Sequence, residues 1–224
     1  MANPLRITGI LILVVRAAVR EGSAIFETGK LLTMCRSLAW LYDENMGVAE
    51  VPGFVLWFTG VSGAGKTTLA ALIEERLRSA GARVEVLDGD IVRKELSQGL
   101  GFSEEDRNEN IRRIGFVAEL LSRNGVATVV AAISPYRSAR ESVRARVRCF
   151  VEIYVTCPLE TLVERDVKGL YRAALSGEIR QFTGVADPYE PPLTPDLIVD
   201  SSQELPDQSA QRVWTVLREK GLVG

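Results

Sequence analysis

The stretch Gly60-Val61-Ser62-Gly63-Ala64-Gly65-Lys66-Thr67 decides the fold, because it fits the pattern G-x-x-x-x-G-K-[ST]. The apolar run Val55 to Thr59 precedes it and predicts a buried strand. The run from Thr68 to Ser79 carries apolar residues at helical spacing and predicts a helix. A strand, a glycine-rich turn and a helix form the setting in which backbone N–H groups and a helix N-terminus cradle a polyphosphate. The stretch therefore predicts a nucleoside triphosphate site.

Different residues of this loop are expected to contact different parts of the bound nucleotide. We expect Lys66 to reach the β- and γ-phosphates and the Thr67 hydroxyl to bind Mg²⁺. The predicted nucleotide-binding residues are Gly60, Val61, Ser62, Gly63, Ala64, Gly65, Lys66, Thr67 and Thr68.

Composition narrows the classes of function. The 224 residues are 46% hydrophobic and 25% charged, with a net charge of −2 that gives no support for a nucleic-acid partner. The chain contains no histidine, so a proton acceptor in catalysis must be a carboxylate or a rarer group. Cys35, Cys149 and Cys157 show neither zinc spacing nor a disulfide framework, which favours a reduced, cytoplasmic setting.

Residues 1–50 are interpreted as an accessory segment without a catalytic role, and residues 51–224 as the catalytic domain. The apolar run Ile7 to Val15 is shorter than the ~20 residues of a membrane span, so none is expected. Arg16 and Arg20 stand where a signal peptide would carry small residues. A transit peptide, a docked helix, a partner-binding arm and upstream sequence before a true start at Met46 all stay open.

Strand and helix patterns alternate through the rest of the chain. We predict strands at 83–87, 126–133, 151–155 and 197–199, and helices at 104–124, 138–147, 159–176 and 207–220. The arginine-rich helix 138–147 is expected to be solvated, and the proline-rich segment 181–195 to be an irregular lid loop. This alternation predicts an α/β phosphate-loop (P-loop) NTPase fold with a central, mainly parallel five-stranded sheet flanked by helices.

Acidic residues point to one class within that fold. No Asn-Lys-x-Asp motif is present, which argues against a GTPase, and the third strand has no acidic residue before Ser134. Asp88 and Asp90, after the second strand, are the nearest candidates for the metal and for an acceptor hydroxyl. This arrangement suits a small-molecule kinase, in which a carboxylate orients or deprotonates the attacking hydroxyl.

Seven motifs in unbroken order between residues 53 and 220 carry a family resemblance. They are Trp57-Phe58-Thr59-Gly60; Leu87-Asp88-Gly89-Asp90 with Arg93; Leu100-Gly101-Phe102-Ser103; Asp106-Arg107 with Asn110-Ile111-Arg112-Arg113; Ile133-Ser134-Pro135-Tyr136-Arg137; Asp166-Val167-Lys168-Gly169-Leu170-Tyr171; and Phe182-Thr183-Gly184 with Asp187-Pro188-Tyr189-Glu190. Together they resemble the adenylylsulfate kinase (APS kinase) family. The resemblance implies transfer of the γ-phosphate of MgATP to the 3′-hydroxyl of adenylyl sulfate in sulfate activation, by a homodimer.

The resemblance also implies roles for individual residues. It makes Lys66, Asp90, Ser134 and Lys168 catalytic, with Asp90 as the base and Ser134 as the serine described in the family as a phosphoserine intermediate. It implies substrate contacts, with two aromatic walls around the adenine at Phe102 and Phe182. The implied substrate-binding residues are Asp88, Arg93, Phe102, Arg107, Asn110, Ile133, Ser134, Lys168, Leu170 and Phe182.

Two other functions stay open at this point. One is another small-molecule kinase, such as a nucleoside monophosphate or sugar-acid kinase. The choice of phosphate acceptor would distinguish such an enzyme from an adenylylsulfate kinase. The other is a nucleotide-binding regulatory protein without turnover. The presence of Lys66, Thr67, Asp90 and Lys168 argues against the second alternative.

Overall fold

The computed structural model of the protein describes residues 53–166 and 168–224. The prediction of an accessory segment at residues 1–50 lies outside this part of the chain. Among the described residues, no helix is long and apolar enough to cross a membrane.

A five-stranded parallel sheet forms the centre of the fold. Its strands are β1 (Val55–Thr59), β2 (Val84–Asp88), β3 (Ala127–Ala131), β4 (Phe150–Thr156) and β5 (Leu197–Asp200), in the order β2-β3-β1-β4-β5. All four neighbouring pairs are parallel. The predicted α/β fold with a parallel five-stranded sheet is confirmed, and the β1 bounds match the prediction.

The helices cover both faces of the sheet. They are α1 (Lys66–Ser79), α2 (Gly89–Glu95), α3 (Glu104–Arg123), α4 (Arg137–Arg146), α5 (Leu159–Arg165), α6 (Leu170–Leu175) and α7 (Pro206–Glu219). Strand β1 is buried on both faces, as expected of a central parallel strand.

Side chains of β1 alternate between two apolar cores. Leu56 and Phe58 belong to the core that also holds residues of α1 and α7. Val55 and Trp57 belong to the core that holds residues of α3 and α4. The sheet therefore fixes the P-loop, which follows β1 directly, between two packed layers.

The segment 159–176, predicted to be mainly helical, forms two helices, α5 and α6, with a break between them. Gly169 adopts a left-handed conformation, with φ of 67°. The Asp166 carboxylate accepts hydrogen bonds from the backbone N–H groups of Tyr171 and Arg172, at 3.0 and 2.9 Å. These bonds satisfy donors in the first turn of α6, so a new helix begins there.

Two further local predictions also need correction. Helix α4 is not merely solvated, because Arg140 and Val143 are 2% and 1% exposed. The segment after β2, for which no helix was predicted, forms the short helix α2. The Asp88 carboxylate caps that helix by accepting from the Asp90 N–H at 2.9 Å.

Candidate active site

The site is a cleft of about 330 Å³ at the carboxyl ends of β1, β2 and β3. Open α/β sheets bind ligands at this edge. The lining residues are Ser62, Gly63, Gly65, Lys66, Thr67, Thr68, Asp88, Gly89, Asp90, Arg93, Phe102, Arg107, Asn110, Ile111, Ala131, Ala132, Ile133, Ser134, Pro135 and Lys168. Most of the residues that the sequence singled out thus meet in one cavity.

The P-loop depends on glycine at its two ends. Gly60 has φ of 145°, and a Cβ there would lie 2.1 Å from the Val155 carbonyl oxygen. Gly65 has φ of 100° and immediately precedes α1. The loop can therefore bend tightly and direct the N-terminus of α1 into the cleft, where a phosphate would meet unpaired N–H groups.

Lys66 is held inside this loop. Its side chain is 8% exposed, and its Nζ donates to the Val61 carbonyl oxygen at 2.7 Å. Burial lowers the pKa of Lys66 to about 8, although the nearby Asp90 and Asp88 carboxylates favour its charged form. A phosphate at the loop would supply the negative charge that compensates this desolvation.

Two oxygen-bearing side chains, Thr67 and Asp88, line the cleft next to the P-loop. The Thr67 hydroxyl donates to Asp88 Oδ2 at 2.9 Å, while Asp88 Oδ1 caps α2. Among the described residues, no group of three or more His, Cys, Asp or Glu side chains could hold a metal ion. Within this part of the chain, the Thr67 hydroxyl and the Asp88 carboxylate are thus the oxygen groups beside the P-loop, without a closed metal cage.

Asp90 and Lys168 meet at the mouth of the cleft. Lys168 Nζ donates to Asp90 Oδ2 at 2.5 Å, although the two side chains are 62% and 74% exposed, respectively. This hydrogen bond raises the pKa of Lys168. Lys168 follows α5 and Asp90 lies in α2, so the tertiary fold joins a carboxylate and an ammonium group from distant parts of the sequence.

A second group of residues lines the opposite side of the cleft. The Phe102 ring is 52% exposed, and the Arg93 guanidinium lies 4.3 Å from its centroid. Burial and the neighbouring Arg107 lower the pKa of Arg93. Asn110 is 8% exposed, and its buried Oδ1 has no hydrogen-bond partner among the described residues. This side of the cleft offers an aromatic face, positive charge and an unpaired acceptor.

Arg107 lies in the cleft wall but already has partners for its donors. Its Nη2 donates to Asp187 Oδ2 at 2.8 Å, and its Nη1 donates to Thr183 Oγ1 at 2.7 Å. Its Nε donates to the Phe102 carbonyl oxygen at 2.8 Å. The guanidinium therefore ties α3 to the segment at 181–187.

Three predicted residues do not present side chains to the cleft in the expected way. Phe182 is 8% exposed, packs edge-on against Tyr171 at 5.0 Å between centroids, and does not line the cavity. Leu170 begins α6 and packs against the same apolar core. Ser134 lines the cavity but is only 1% exposed, and its hydroxyl bonds to Trp57 and Thr59. Their roles stay predictions.

Sequence reasoning assigned no role to several residues that shape the site. Tyr171 donates from its hydroxyl to the P-loop carbonyl of Ser62 at 2.7 Å. Ala131 and Ala132 form part of the cavity lining, where larger side chains would fill space. Tyr171 stood within a quoted motif, but nothing in the motif indicates which backbone atom its hydroxyl reaches.

The parallel sheet, the P-loop and the adjacent carboxylates define a P-loop kinase. A family model described as adenylylsulphate kinase matches residues 52–200, which is more than half of the chain. The protein belongs to the adenylylsulphate kinase family. The resemblance inferred from the seven motifs is thereby confirmed.

Individual relatives agree with this family. The chain is 56% identical over 169 residues to the adenylyl-sulfate kinase of Rippkaea orientalis, covering 75% of this chain and 93% of that protein. It resembles the structure of the Mycobacterium tuberculosis APS kinase in complex with AMPPNP and APS, with 41% identity and a TM-score of 0.71, over 75% and 98% of the chains. The hexameric APS kinase of Thiobacillus denitrificans matches at 37% identity and a TM-score of 0.60, over 78% and 30% of the chains.

Proposed function

We propose that the protein transfers the γ-phosphate of ATP to the 3′-hydroxyl of adenylyl sulfate, giving 3′-phosphoadenylyl sulfate and ADP. The observation that carries this proposal is the continuity of one cleft. The cleft joins an intact P-loop to the Asp90–Lys168 pair and to the wall of Arg93, Phe102 and Asn110. A donor and an acceptor nucleotide would therefore meet at Asp90.

The P-loop side holds the donor. Residues 60–68 would surround the phosphates with backbone N–H groups, and the N-terminus of α1 favours negative charge there. Lys66 would exchange its bond to the Val61 carbonyl for the β- and γ-phosphates. Binding would thus replace a hydrogen bond to a neutral carbonyl by ion pairs with the phosphates.

The oxygen-bearing side chains near the P-loop fit a magnesium ion carried by ATP. The Thr67 hydroxyl would be its protein ligand, with Asp88 accepting a hydrogen bond next to it. Mg²⁺ binds few protein groups and keeps several waters, which agrees with the lack of a protein cage among the described residues. When bound, the ion would neutralise phosphate charge and orient the transferring group.

Asp90 and Lys168 carry out the transfer step. The Asp90 carboxylate takes the proton of the 3′-hydroxyl while the 3′-oxygen forms a bond to the γ-phosphorus. The bond between that phosphorus and the oxygen bridging to the β-phosphate breaks, and ADP leaves with its electron pair. Lys168 stabilises the charge on the transferring phosphate, and its pairing with Asp90 holds both groups at the mouth of the cleft.

The opposite wall holds the acceptor. Phe102 offers an exposed ring for stacking on adenine, and the unpaired Asn110 Oδ1 accepts from a nucleotide N–H or O–H donor. Arg93 supplies positive charge for the phosphosulfate, and Arg107 holds this wall against the segment 181–187. Ile133 lines the cleft next to Ser134, whereas Leu170 and Phe182 pack against the apolar core, Phe182 next to Tyr171.

The assembly and location of the protein complete the proposal. We propose a homodimer in the cytoplasm, where Cys149 and Cys157, which are free cysteines in the structure, would stay reduced. Light scattering after size-exclusion chromatography distinguishes a dimer from the hexamer described for the Thiobacillus denitrificans relative.

The experiment that tests the function is ADP release from MgATP with adenylyl sulfate, with AMP, and with neither acceptor. We expect release that requires adenylyl sulfate and ignores AMP. Release with AMP would favour a nucleoside monophosphate kinase. Tight ATP binding without release on adding adenylyl sulfate would favour a regulatory nucleotide-binding protein.

A further inference from the structure

A chain of hydrogen-bonded hydroxyl groups, two of them buried, links three distant parts of the sequence next to the cleft. The Trp57 Nε1–H donates to Ser134 Oγ at 3.0 Å, and the Ser134 hydroxyl donates to Thr59 Oγ1 at 3.0 Å. The Tyr189 hydroxyl lies 2.8 Å from the same Thr59 oxygen. Thr59 ends β1, Ser134 follows β3, and Tyr189 lies in the proline-rich segment predicted to be a lid.

The direction of each hydrogen bond follows from the number of protons available. Thr59 donates its own proton to the Ile133 carbonyl oxygen at 2.9 Å, which can only accept. The Tyr189 hydroxyl must therefore donate to Thr59, whereas Ser134 can donate either to Thr59 at 3.0 Å or to the Ala132 carbonyl oxygen at 3.3 Å. Burial raises the pKa of Tyr189, which keeps this proton in place at neutral pH. The Thr59 hydroxyl thus donates to Ile133 and accepts from Tyr189, and it can also accept from Ser134.

The backbone around Tyr189 is fastened to the same turn. The N–H of Glu190 donates to the Pro135 carbonyl oxygen at 2.9 Å, and the Glu190 carboxylate accepts from the Arg137 N–H at 2.7 Å. Arg140 donates to the carbonyl oxygens of both Ser134 and Glu190, at 2.5 and 2.7 Å. The turn needs this support, because Ser134 has φ of 43°, a conformation that costs energy in a non-glycine residue.

We propose that Tyr189 is a positioning residue for phosphoryl transfer, holding the turn after β3 against the end of β1 through Thr59 and Ser134. Ile133, Ser134 and Pro135 of this turn line the cleft. This inference rests on the proposed function, because it assigns the turn to the side where adenylyl sulfate binds. Loss of the Tyr189 hydroxyl should therefore weaken the acceptor and spare ATP, which binds to the P-loop.

The same hydrogen-bond chain assigns Ser134 a positioning role as well. Its hydroxyl accepts from Trp57 and has two internal acceptors for its proton, Thr59 Oγ1 at 3.0 Å and the Ala132 carbonyl oxygen at 3.3 Å, and the residue is only 1% exposed. Ser134 then serves the reaction by shaping the turn and forms no phosphoserine during turnover.

Tyr189→Phe tests the proposal, with Tyr154→Phe as the matched control. The Tyr154 ring stacks on Tyr189 at 5.7 Å, and the structure records no hydrogen bond of its hydroxyl within the described residues. We expect Tyr189→Phe to raise the KM for adenylyl sulfate about three- to tenfold, the effect of one lost hydrogen bond. The KM for ATP should stay within about twofold, and Tyr154→Phe should match the wild type in both constants.

The Ser134→Ala variant tests the role of Ser134. We expect measurable turnover with a raised KM for adenylyl sulfate, and a combined effect with Tyr189→Phe below the product of the single effects, because both act through Thr59. Equal KM values in Tyr189→Phe and the wild type, or an equal rise for both substrates, would overturn the role of Tyr189. The positioning role of Ser134 would be overturned if the Ser134→Ala variant folds but has no turnover and the wild type carries phosphate on Ser134. A wild type inactive toward adenylyl sulfate would instead refute the proposed function.

Discussion

At the scale of single residues, Asp90 is the group on which the chemistry depends. The chain has no histidine, and the Asp90 carboxylate lies at the mouth of the cleft beside Lys168. We predict that Asp90→Asn lowers kcat by about 10²–10⁴-fold, the usual contribution of a general base. ATP affinity should change little, because the carboxylate acts on the acceptor. Turnover near the wild-type value, in the presence of saturating substrates, would remove Asp90 from the mechanism.

Lys66 makes nucleotide affinity depend on pH. Because its pKa in the folded protein is about 8, below the ordinary 10.5, the folded chain loses this proton before the unfolded chain does. Stability therefore rises between about pH 8 and 10.5 as the uncharged form is favoured, whereas phosphate binding needs the charged form.

The consequence for binding can be measured with AMPPNP in the absence of magnesium. We predict that its dissociation constant rises as the pH passes 8, approaching about tenfold per pH unit as Lys66 loses its proton. Lys66→Met should bind weakly at every pH and lack this dependence. A wild-type affinity that stays constant between pH 7 and 9.5 would contradict the assignment.

At the scale of elements, the wall that carries Arg107 and Asn110 depends on the close contact between α3 and α4. A Cβ at Gly115 of α3 would lie 2.4 Å from Val143 Cγ2 of α4. Alanine at an open helix position stabilises relative to glycine, but overpacking here costs about 1–3 kcal/mol. We predict that Gly115→Ala lowers the Tm.

The control for this prediction is Val143→Ala, which makes space for a Cβ at position 115 on the neighbouring helix α4. Gly115→Ala combined with Val143→Ala should lose less stability than the sum of the two single changes, since the second change removes the clashing methyl groups. Thermal unfolding of the four proteins measures this coupling. A Tm of Gly115→Ala at or above the wild-type value would contradict the prediction, because it would show that α3 and α4 can move apart without loss of stability.

At the scale of the whole molecule, one charge network joins the sheet to the segment that carries Tyr189. Arg140 pairs with Glu152 of β4 at 2.9 Å, with side chains 2% and 7% exposed. Arg144 pairs with Glu152, and both Arg144 and Lys220 pair with Asp196 before β5. The network thus connects α4, β4, the start of β5 and the residue after α7.

Breaking this network should destabilise the entire domain. We predict that Arg140→Met costs about 3–5 kcal/mol, because it leaves the Glu152 charge buried with fewer partners. Arg112→Met is the matched control, since Arg112 pairs with Glu109 at an exposed site and its loss should hardly change the Tm. Equal Tm values for the two variants would refute the importance of the buried network.

The sequence by itself determined the fold class, the P-loop and the family. The β1 run, the glycine-rich loop and the alternation of strands and helices are local patterns, and backbone geometry translates them directly into elements. The helix predicted at 104–124 likewise carries both Arg107 and Asn110, and both line the cleft. Local periodicity is sufficient for these features.

Only the tertiary structure decided the direction and partners of individual side chains. Phe182 packs into the core against Tyr171, although the family resemblance implied a place beside the adenine in the cleft. Ser134 directs its hydroxyl inward to Trp57 and Thr59, and Tyr189 completes that chain from far along the sequence. The physical reason is that hydrogen bonding and burial depend on neighbours that the fold brings together, and a local sequence pattern does not contain those neighbours.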